Sequence, residues 1–121
     1  MTLGIGIDII EVRRLRQAVE RWGQEFLNRI FTPEELANAK TRGSLYQHLA
    51  GRFAAKEAVF KAMGDKGLNW KDVEILNDKD GKPHCLLLNG KVNKVTVHIS
   101  ISHVKNYAVA NAIIAQKSLC P

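Results

Sequence analysis

Hydrophobic residues alternate with small or polar residues at the start of the chain. From position 3 to position 9 every odd residue is leucine or isoleucine, whereas Gly4, Gly6 and Asp8 occupy the even positions. This period of two predicts a β-strand with one apolar face and one glycine-rich face. Because glycine has no side chain, the second face can pack closely against another backbone.

An amphipathic helix is predicted to follow the strand. Its apolar residues recur at helical spacing, at Val12, Leu15, Val19 and Trp22. Its flanks and far side carry four arginines, namely Arg13, Arg14, Arg16 and Arg21. An arginine-rich helix surface is most often simply solvated, but it can also dock an acidic partner.

Two further helices are predicted between residues 32 and 63. Thr32 is followed by proline and, three residues after the threonine, by Glu35, which is the pattern of a capped helix start, and this helix should end near Lys40. The longest helical pattern runs from Ser44 to about Met63, with large apolar residues on one stripe and glycine and alanine opposite. Lys56 projects almost into the large-residue stripe and breaks the pattern.

Short strands separated by turn sequences fill the rest of the chain. They are predicted at Val73–Leu76, Pro83–Leu88, Val95–Ser102 and Tyr107–Ala115, with turns at Asp78–Gly81 and Asn89–Gly90. We expect these strands to form an antiparallel meander. The order strand, helices, strands predicts a single α+β domain over residues 1–121, with helices packed on an antiparallel sheet.

Composition excludes several classes of protein. Glycine and proline are too scarce for a fibrous or disordered chain, and no apolar stretch approaches the ~20 residues that span a bilayer. The start of the chain does not have the form of a signal peptide, so we expect a cytoplasmic protein. Cys85 and Cys120 lack metal-binding spacing and should stay reduced without a functional role. The net charge of +6 indicates an anionic partner: nucleic acid, nucleotide phosphates or an acidic protein.

Three charged residues could carry chemistry. Asp8 lies on a mostly apolar strand, where an unpaired carboxylate is costly to bury, and Glu57 and Lys61 are one turn apart on the long helix. Each has an ordinary explanation, because Asp8 can cap a neighbouring helix and the other two can form a surface pair worth about 0.3 kcal/mol. Together they could hold Mg²⁺ against a diphosphate, since Mg²⁺ prefers one or two carboxylates with phosphate oxygens and water.

His103 lies at the end of a predicted strand, where it could contact a nucleotide phosphate, donate a proton or serve only as a turn residue. Gly4–Gly6 lacks the third glycine and the helix of a dinucleotide-binding fingerprint, and the motifs of metalloproteases, serine hydrolases, P-loop proteins and zinc fingers do not occur. The residues alone therefore leave open an enzyme acting on a diphosphate, a basic nucleic-acid-binding module and a non-catalytic domain.

Three motifs together resemble one family. They are Gly4-Ile5-Gly6-Ile7-Asp8-Ile9, the segment Gly51–Ala62 with its Phe-Ala-Ala-Lys-Glu core, and Ser100-Ile101-Ser102-His103 followed by Tyr107-Ala108. In order and spacing they resemble holo-[acyl-carrier-protein] synthases, the small bacterial 4′-phosphopantetheinyl transferases. The resemblance implies that fold and an enzyme of fatty acid biosynthesis. Such an enzyme moves the 4′-phosphopantetheine arm of coenzyme A onto a serine of apo acyl carrier protein and releases adenosine 3′,5′-bisphosphate.

The resemblance also assigns roles in catalysis and metal binding. Asp8 and Glu57 match the Mg²⁺ ligands of the family, and with Lys61, which would contact the diphosphate, they would carry catalysis. Arg52 and His103 would lie where the phosphates of coenzyme A bind. The base that takes the serine proton is either Glu57 or a metal-bound water.

The resemblance implies partners as well. Arg14 matches an arginine that meets the acidic carrier protein, and neighbouring arginines, Arg21 among them, join this docking surface by proximity. A homotrimer with sites at the subunit interfaces is expected, because superfamily members with complete sites in one chain are about twice as long. No nucleic-acid or membrane partner is expected. The chain departs from the family in the short segment Asn89–Lys94 and in Val104–Asn106 after His103.

Overall fold

A computed structural model describes residues 1–64, 67–88, 90 and 94–117 of the chain. The elements follow in the order β1 (Thr2–Glu11), α1 (Val12–Ile30), α2 (Pro33–Lys40), α3 (Leu45–Met63), β2 (Val73–Asn77), β3 (Pro83–Leu87), β4 (Val95–His103) and β5 (Tyr107–Gln116). A 3-10 helix, Trp70–Asp72, precedes β2. The expected α+β class is confirmed, whereas Asn89 of the predicted turn and Cys120 lie outside the described residues.

The strands form two antiparallel sheets instead of the single meander that we expected. β5 lies between β1 and β4 in a three-stranded sheet, and β2 pairs with β3 in a separate hairpin. The meander was right for the hairpins β2–β3 and β4–β5 and wrong for the link between β3 and β4. Alternation along a strand specifies which residues face the core, but it does not specify the neighbouring strand. Here β1 pairs with β5 along its length.

The glycine-rich face of β1 packs directly on α3. A β-carbon at Gly4 would overlap the carbonyl oxygen of Ala62, and one at Gly6 would overlap that of Ala58 and lie 2.8 Å from the nitrogen of Ala62. Only glycine permits this approach of two backbones. Asp8 belongs to the same face of β1, so this packing brings its carboxylate to the side of α3.

Helix α1 is kinked at Gly23, whose φ is 61° and whose ψ is −142°. Val12 and Leu15 are buried as the amphipathic pattern predicts, but Trp22 is 58% exposed. The prediction for Trp22 was wrong because the helical period is interrupted at the adjacent glycine. After the kink the phase changes, and Ile30 reaches the core.

Helix α3 is buried on most of its surface, and its small residues face β1, as the expected close approach of another backbone requires. Ala54, Ala55 and Ala58 are completely buried. Lys56 is completely buried too, and its ammonium lies 2.7 Å from a carboxylate oxygen of Glu35. The residue that breaks the apolar stripe therefore has an ion-pair partner inside the core.

The structure also bears on the expectations for membrane-spanning segments and for the cysteines. Within the described ranges, no helix is both long enough and apolar enough to cross a membrane. Cys85 is a free thiol. Burial raises the pKa of this thiol to about 12, which disfavours the reactive thiolate.

Candidate active site

A groove of about 500 Å³ lies between β1, α1 and α3, and we name it the acidic groove. Its charged lining consists of Asp8 and Glu11 from β1, Arg14 from α1 and Glu57 from α3. Strand β1 delivers Asp8 and helix α3 delivers Glu57 because the two backbones touch at the glycine face. The fold thereby brings together the two carboxylates that the sequence singled out.

The carboxylates of the acidic groove influence each other. The pKa of Glu57 is raised, chiefly because partial burial removes water from the carboxylate and next because Asp8 is negatively charged, while Lys61 acts in the opposite direction. Burial and a like charge both disfavour ionisation, so a cation beside Glu57 and Asp8 would relieve an existing electrostatic cost.

Lys61 contacts β1 and not its helical neighbour. Its Nζ donates to the carbonyl oxygen of Ile7 at 3.0 Å and to Oδ1 of Asp8 at 3.1 Å. The ion pair of Lys61 is therefore with Asp8 and not the surface pair with Glu57 that the helical spacing allows. One ammonium therefore neutralises Asp8 and ties β1 to the carboxyl-terminal part of α3.

The donor set of the acidic groove fits Mg²⁺. In the described part of the chain, no group of three or more histidine, cysteine, aspartate or glutamate side chains is arranged to hold a metal. A site with two carboxylates is incomplete for a metal caged by protein alone. It is the set expected for Mg²⁺, which keeps waters and takes oxygens from a bound phosphate.

A second cavity of about 270 Å³, which we name the basic pocket, lies on another part of the surface. Its polar lining comes from α3, from the segment before it, from the β2–β3 hairpin and from the end of β4, and consists of Arg42, Ser44, His48, Arg52, Asn77 and His103. No residue lines both the basic pocket and the acidic groove. The described lining of the basic pocket contains no carboxylate.

Arg52 is the most buried cation of the basic pocket. Its side chain is 7% exposed, its guanidinium donates to Oδ1 of Asn77, and its Nε has no hydrogen-bond partner among the described residues. Burial, and next the charge of Arg42, lower the pKa of Arg52 to about 10. Burial and then Arg52, Arg42 and His103 lower the pKa of His48 to about 4.

The pKa shifts of Arg52 and His48 have two causes. Burial acts most strongly, and next come the positive charges of neighbouring residues, which no carboxylate of the described lining offsets. A bound phosphate would supply the missing negative charge and an acceptor for the free Nε–H of Arg52. The basic pocket could therefore accommodate a phosphate.

The structure brings together only part of the predicted site. Arg52 and His103 line the basic pocket, apart from Asp8 and Glu57 in the acidic groove. Four polar residues of the basic pocket were not among the predicted site residues, namely Arg42, Ser44, His48 and Asn77. His48 could have been found, because it precedes Arg52 by one helical turn, whereas Asn77 comes from a hairpin whose position no sequence pattern reveals.

Only part of the predicted arginine surface of α1 lies beside the acidic groove. Arg14 lines the acidic groove beside Asp8. The guanidinium of Arg21 lies 4.8 Å from the centre of the Trp22 ring and does not line the groove, whereas Arg16 pairs with Glu20 and Arg13 lies 4.0 Å from Glu11. Arg14 is thus the predicted docking residue that the fold places beside the carboxylates.

Comparison with known proteins identifies the family. Residues 4–112 match the family model of the 4′-phosphopantetheinyl transferase superfamily. The chain belongs to this superfamily. A holo-[acyl-carrier-protein] synthase of Protochlamydia amoebophila is 50% identical over 119 residues, which cover 93% of this chain and 98% of that protein. Another, from Halothermothrix orenii, is 43% identical and covers 91% and 94%.

Solved structures agree with this assignment. The holo-(acyl-carrier-protein) synthase of Bacillus anthracis, in complex with CoA (3′,5′-ADP), has a TM-score of 0.84 and 39% identity and covers 97% of this chain and 99% of its own. The Helicobacter pylori synthase in complex with coenzyme A has a TM-score of 0.81 and 30% identity, with 92% and 99% covered. The resemblance drawn from the three motifs is confirmed, and the chain is an enzyme of the phosphopantetheinyl transferase class. This membership favours the transferase interpretation over a nucleic-acid-binding module or a non-catalytic domain.

Proposed function

We propose that this chain, as one domain over residues 1–121, transfers the 4′-phosphopantetheine group of coenzyme A to a serine of apo acyl carrier protein. The observation that carries the proposal is the pair of cavities: the acidic groove suits a cation and a reacting diphosphate, and the basic pocket suits a further phosphate. The Bacillus anthracis and Helicobacter pylori relatives, solved with coenzyme A, support this substrate. A cytoplasmic role in fatty acid biosynthesis belongs to the same proposal.

In the proposed reaction the serine oxygen attacks the phosphorus that bears the pantetheine arm. The bond from this phosphorus to the bridging oxygen breaks, the serine loses its proton, and adenosine 3′,5′-bisphosphate leaves. Asp8 and Glu57 would hold Mg²⁺, which would supply charge neutralisation for the diphosphate. Lys61 would donate to oxygens of the diphosphate as this bond breaks, and the carboxylate of Glu57, which lies in the acidic groove, would accept the serine proton.

The carrier protein is proposed to dock on α1. Arg14 lies on the rim of the acidic groove, so an acidic partner bound there would have its serine next to Asp8 and Glu57. Arg21 lies farther along the exposed surface of the same helix and would extend the docking surface. Complementary charge of this kind raises the rate of encounter more than the final affinity.

We further propose that the enzyme is a homotrimer whose sites form between subunits. The outer face of the three-stranded sheet is apolar along β1, where Leu3, Ile5, Ile7 and Ile9 are 51%, 72%, 63% and 64% exposed. An exposed apolar face of this kind is typical of a protein–protein interface. The acidic groove of one subunit and the basic pocket of the next would then bind opposite ends of one coenzyme A molecule.

A complementation experiment tests the shared site. Glu57→Gln inactivates the acidic groove and Arg52→Ala the basic pocket, so each variant alone should be inactive. If each site combines residues of two subunits, randomly mixed trimers have about a quarter of their sites intact, and activity returns on co-refolding. If both cavities of one chain serve the same site, every site keeps a defect and the mixture stays inactive.

The transfer itself is tested with coenzyme A, apo acyl carrier protein and Mg²⁺, followed by intact-protein mass spectrometry. We expect the carrier protein to gain the mass of one phosphopantetheine group, and we expect chelation of the metal to prevent this. Binding of coenzyme A without transfer to any apo carrier protein would contradict the proposed function.

A further inference from the structure

A buried polar network surrounds the lysine that interrupts the apolar stripe of α3. Nζ of Lys56 lies 2.7 Å from Oε1 of Glu35 and donates to the carbonyl oxygens of Ile30 at 2.8 Å and Trp70 at 3.0 Å. All three ammonium protons of Lys56 therefore have acceptors. The contacts join α3 to the end of α1, to α2 and to the segment that leads into β2.

Glu35 extends this network to strand β2. Its Oε2 accepts the backbone N–H of Ile75 at 2.8 Å, while its Oε1 also accepts the N–H of Thr32 at 2.8 Å. The Thr32 hydroxyl donates to the buried carboxylate of Glu74 at 2.7 Å. Strand β2 is thus held to α2 both by its backbone and by a side chain.

A second connection joins β2 to α3 in the basic pocket. Arg52 precedes Lys56 by one helical turn, and its guanidinium donates to Asn77, which follows Ile75 by two residues. The strand is therefore linked to the helix at two neighbouring levels. One link runs from Ile75 through Glu35 to Lys56, and the other runs from Asn77 directly to Arg52.

The hairpin needs such links because, in the described ranges, no ladder of backbone hydrogen bonds joins it to the three-stranded sheet. Val73 and Ile75 are buried, but apolar burial is non-directional and leaves room for sliding. Hydrogen bonds have defined lengths and angles, so they fix where the strand lies. The hairpin carries Asn77, Gly81 and Pro83 of the basic pocket, so its position determines the shape of that pocket.

We propose that Glu35 and Lys56 are positioning residues for the basic pocket, which through β2 hold Asn77 against Arg52 in the geometry that binds a phosphate of coenzyme A. This inference rests on the proposed function of the basic pocket. A buried ion pair adds little net stability compared with well-packed apolar residues, because desolvation of the two charges offsets their attraction. The geometry that the pair imposes on β2 is its contribution.

The first test compares Lys56→Met with Met63→Ala, a buried substitution at the end of the same helix whose side chain makes none of the hydrogen bonds of the network. The probe is adenosine 3′,5′-bisphosphate, measured by titration calorimetry at a temperature where all variants are folded. We expect the Kd of Lys56→Met to rise about tenfold or more, as for loss of a supporting contact behind a binding residue. The Kd of Met63→Ala should stay within about twofold of wild type.

The same variants separate positioning from general damage in steady-state kinetics. Lys56→Met should raise the KM for coenzyme A more than the KM for the carrier protein, whereas a merely structural defect would lower the active fraction and leave both constants unchanged. A folded Lys56→Met variant with the wild-type Kd for the bisphosphate would overturn the inference.

The wild-type protein provides a test that does not depend on how a variant folds. Coupling between two sites is reciprocal, so a ligand in the basic pocket must stabilise the network that positions it. We expect the bisphosphate to slow hydrogen exchange of the Ile75 amide by a larger factor than it slows the amides of β1. If exchange slows by the same factor at Ile75 and in β1, the positioning role of Glu35 and Lys56 is overturned, but the proposed role of the basic pocket is not. If the wild-type protein fails to bind the bisphosphate, both are overturned.

Discussion

The ammonium of Lys61 lies 3.1 Å from Oδ1 of Asp8, so a cation from α3 already neutralises a carboxylate of β1. The same nitrogen donates to the carbonyl oxygen of Ile7. Because Asp8 and Lys61 lie on different elements, this pair exists only once β1 and α3 have packed. The pair also means that Lys61 competes with a metal for Asp8 until a phosphate offers the ammonium another partner.

Replacing Lys61 by methionine should therefore change metal binding and catalysis in opposite directions. Without coenzyme A, the Kd for Mn²⁺ should fall about two- to fivefold, the effect expected of a partly exposed ion pair. Transfer should nevertheless decline by at least about tenfold, because the diphosphate loses a cation. Titration calorimetry and the transfer assay measure the two effects. Lys40→Met, an exposed substitution at the end of α2, should change neither, and weaker Mn²⁺ binding by Lys61→Met would contradict the competition.

Glu57→Gln should abolish transfer and yet stabilise the metal-free protein at neutral pH. The pKa of Glu57 is raised in the folded chain, so its ionisation opposes folding once the pH exceeds the ordinary glutamate pKa. The amide cannot ionise and avoids this cost. We expect the Tm of Glu57→Gln to exceed that of wild type at pH 7.5 and the difference to shrink as the pH approaches 4.5.

Asp8→Asn should lower the rate of transfer by at least about a hundredfold, because it removes the other proposed metal ligand. Circular dichroism should show that both variants are folded. Near-wild-type turnover of either variant at saturating Mg²⁺ would exclude that residue from the metal site.

Arg14→Glu should raise the KM for the apo carrier protein and leave the KM for coenzyme A nearly unchanged. The side chain lies on the rim of the acidic groove, where a charge reversal repels an acidic partner. The wild-type KM for the carrier protein should also rise with salt, since such steering is screened over about 8 Å at physiological ionic strength. Arg29→Glu, beyond the kink of the same helix, is the matched control. Equal changes in both KM values of Arg14→Glu would identify that arginine as merely solvated.

His48 should make the folded state sensitive to mild acid. Its pKa is lowered to about 4, whereas the pKa of a histidine in the unfolded chain is near 6.5. Between these two pH values the unfolded chain binds a proton that the folded chain does not bind. The stability contributed by neutral His48 is complete above about pH 6.5 and declines as the pH falls towards 4. Urea unfolding at pH 7.5, 6 and 5 should show a smaller loss for His48→Gln than for wild type. His98→Gln, on the exposed face of β4, should follow the wild-type curve, and parallel curves for all three proteins would disprove the assignment.

Gly6→Ala should severely destabilise the fold, by about 3 kcal/mol or more, because the new methyl group overlaps the backbone of α3 at Ala58. Chemical denaturation measures the loss. Gly43→Ala is the matched control, since a β-carbon there meets nothing within 4 Å, and it should cost less than about 0.5 kcal/mol. Similar stabilities of the two variants would mean that β1 and α3 are not in backbone contact.

Local residue patterns were sufficient to predict the secondary-structure elements and the family. Periodicity, the capping pattern at Thr32 and the turn residues are local properties, so they predicted the helices and strands to within a few residues. The glycines of β1 and the alanines of α3 each predicted a close contact with another backbone, but they did not identify which element makes that contact. The motifs around Asp8, Glu57 and His103 were specific enough to identify the superfamily, because they fix residue types at fixed spacing over most of the chain.

Contacts between residues far apart in the sequence could not be predicted and became known only from the fold. It paired β1 with β5, separated the β2–β3 hairpin from the main sheet and joined Lys61 to Asp8, and each of these contacts links segments far apart in the sequence. It also divided the predicted site into two cavities and added Asn77 to one of them. The local pattern indicates which side of an element is buried, whereas the partner on that side depends on how all the elements pack together. Lys56 therefore interrupts the apolar pattern in the sequence, although in the fold it has an ion-pair partner in Glu35.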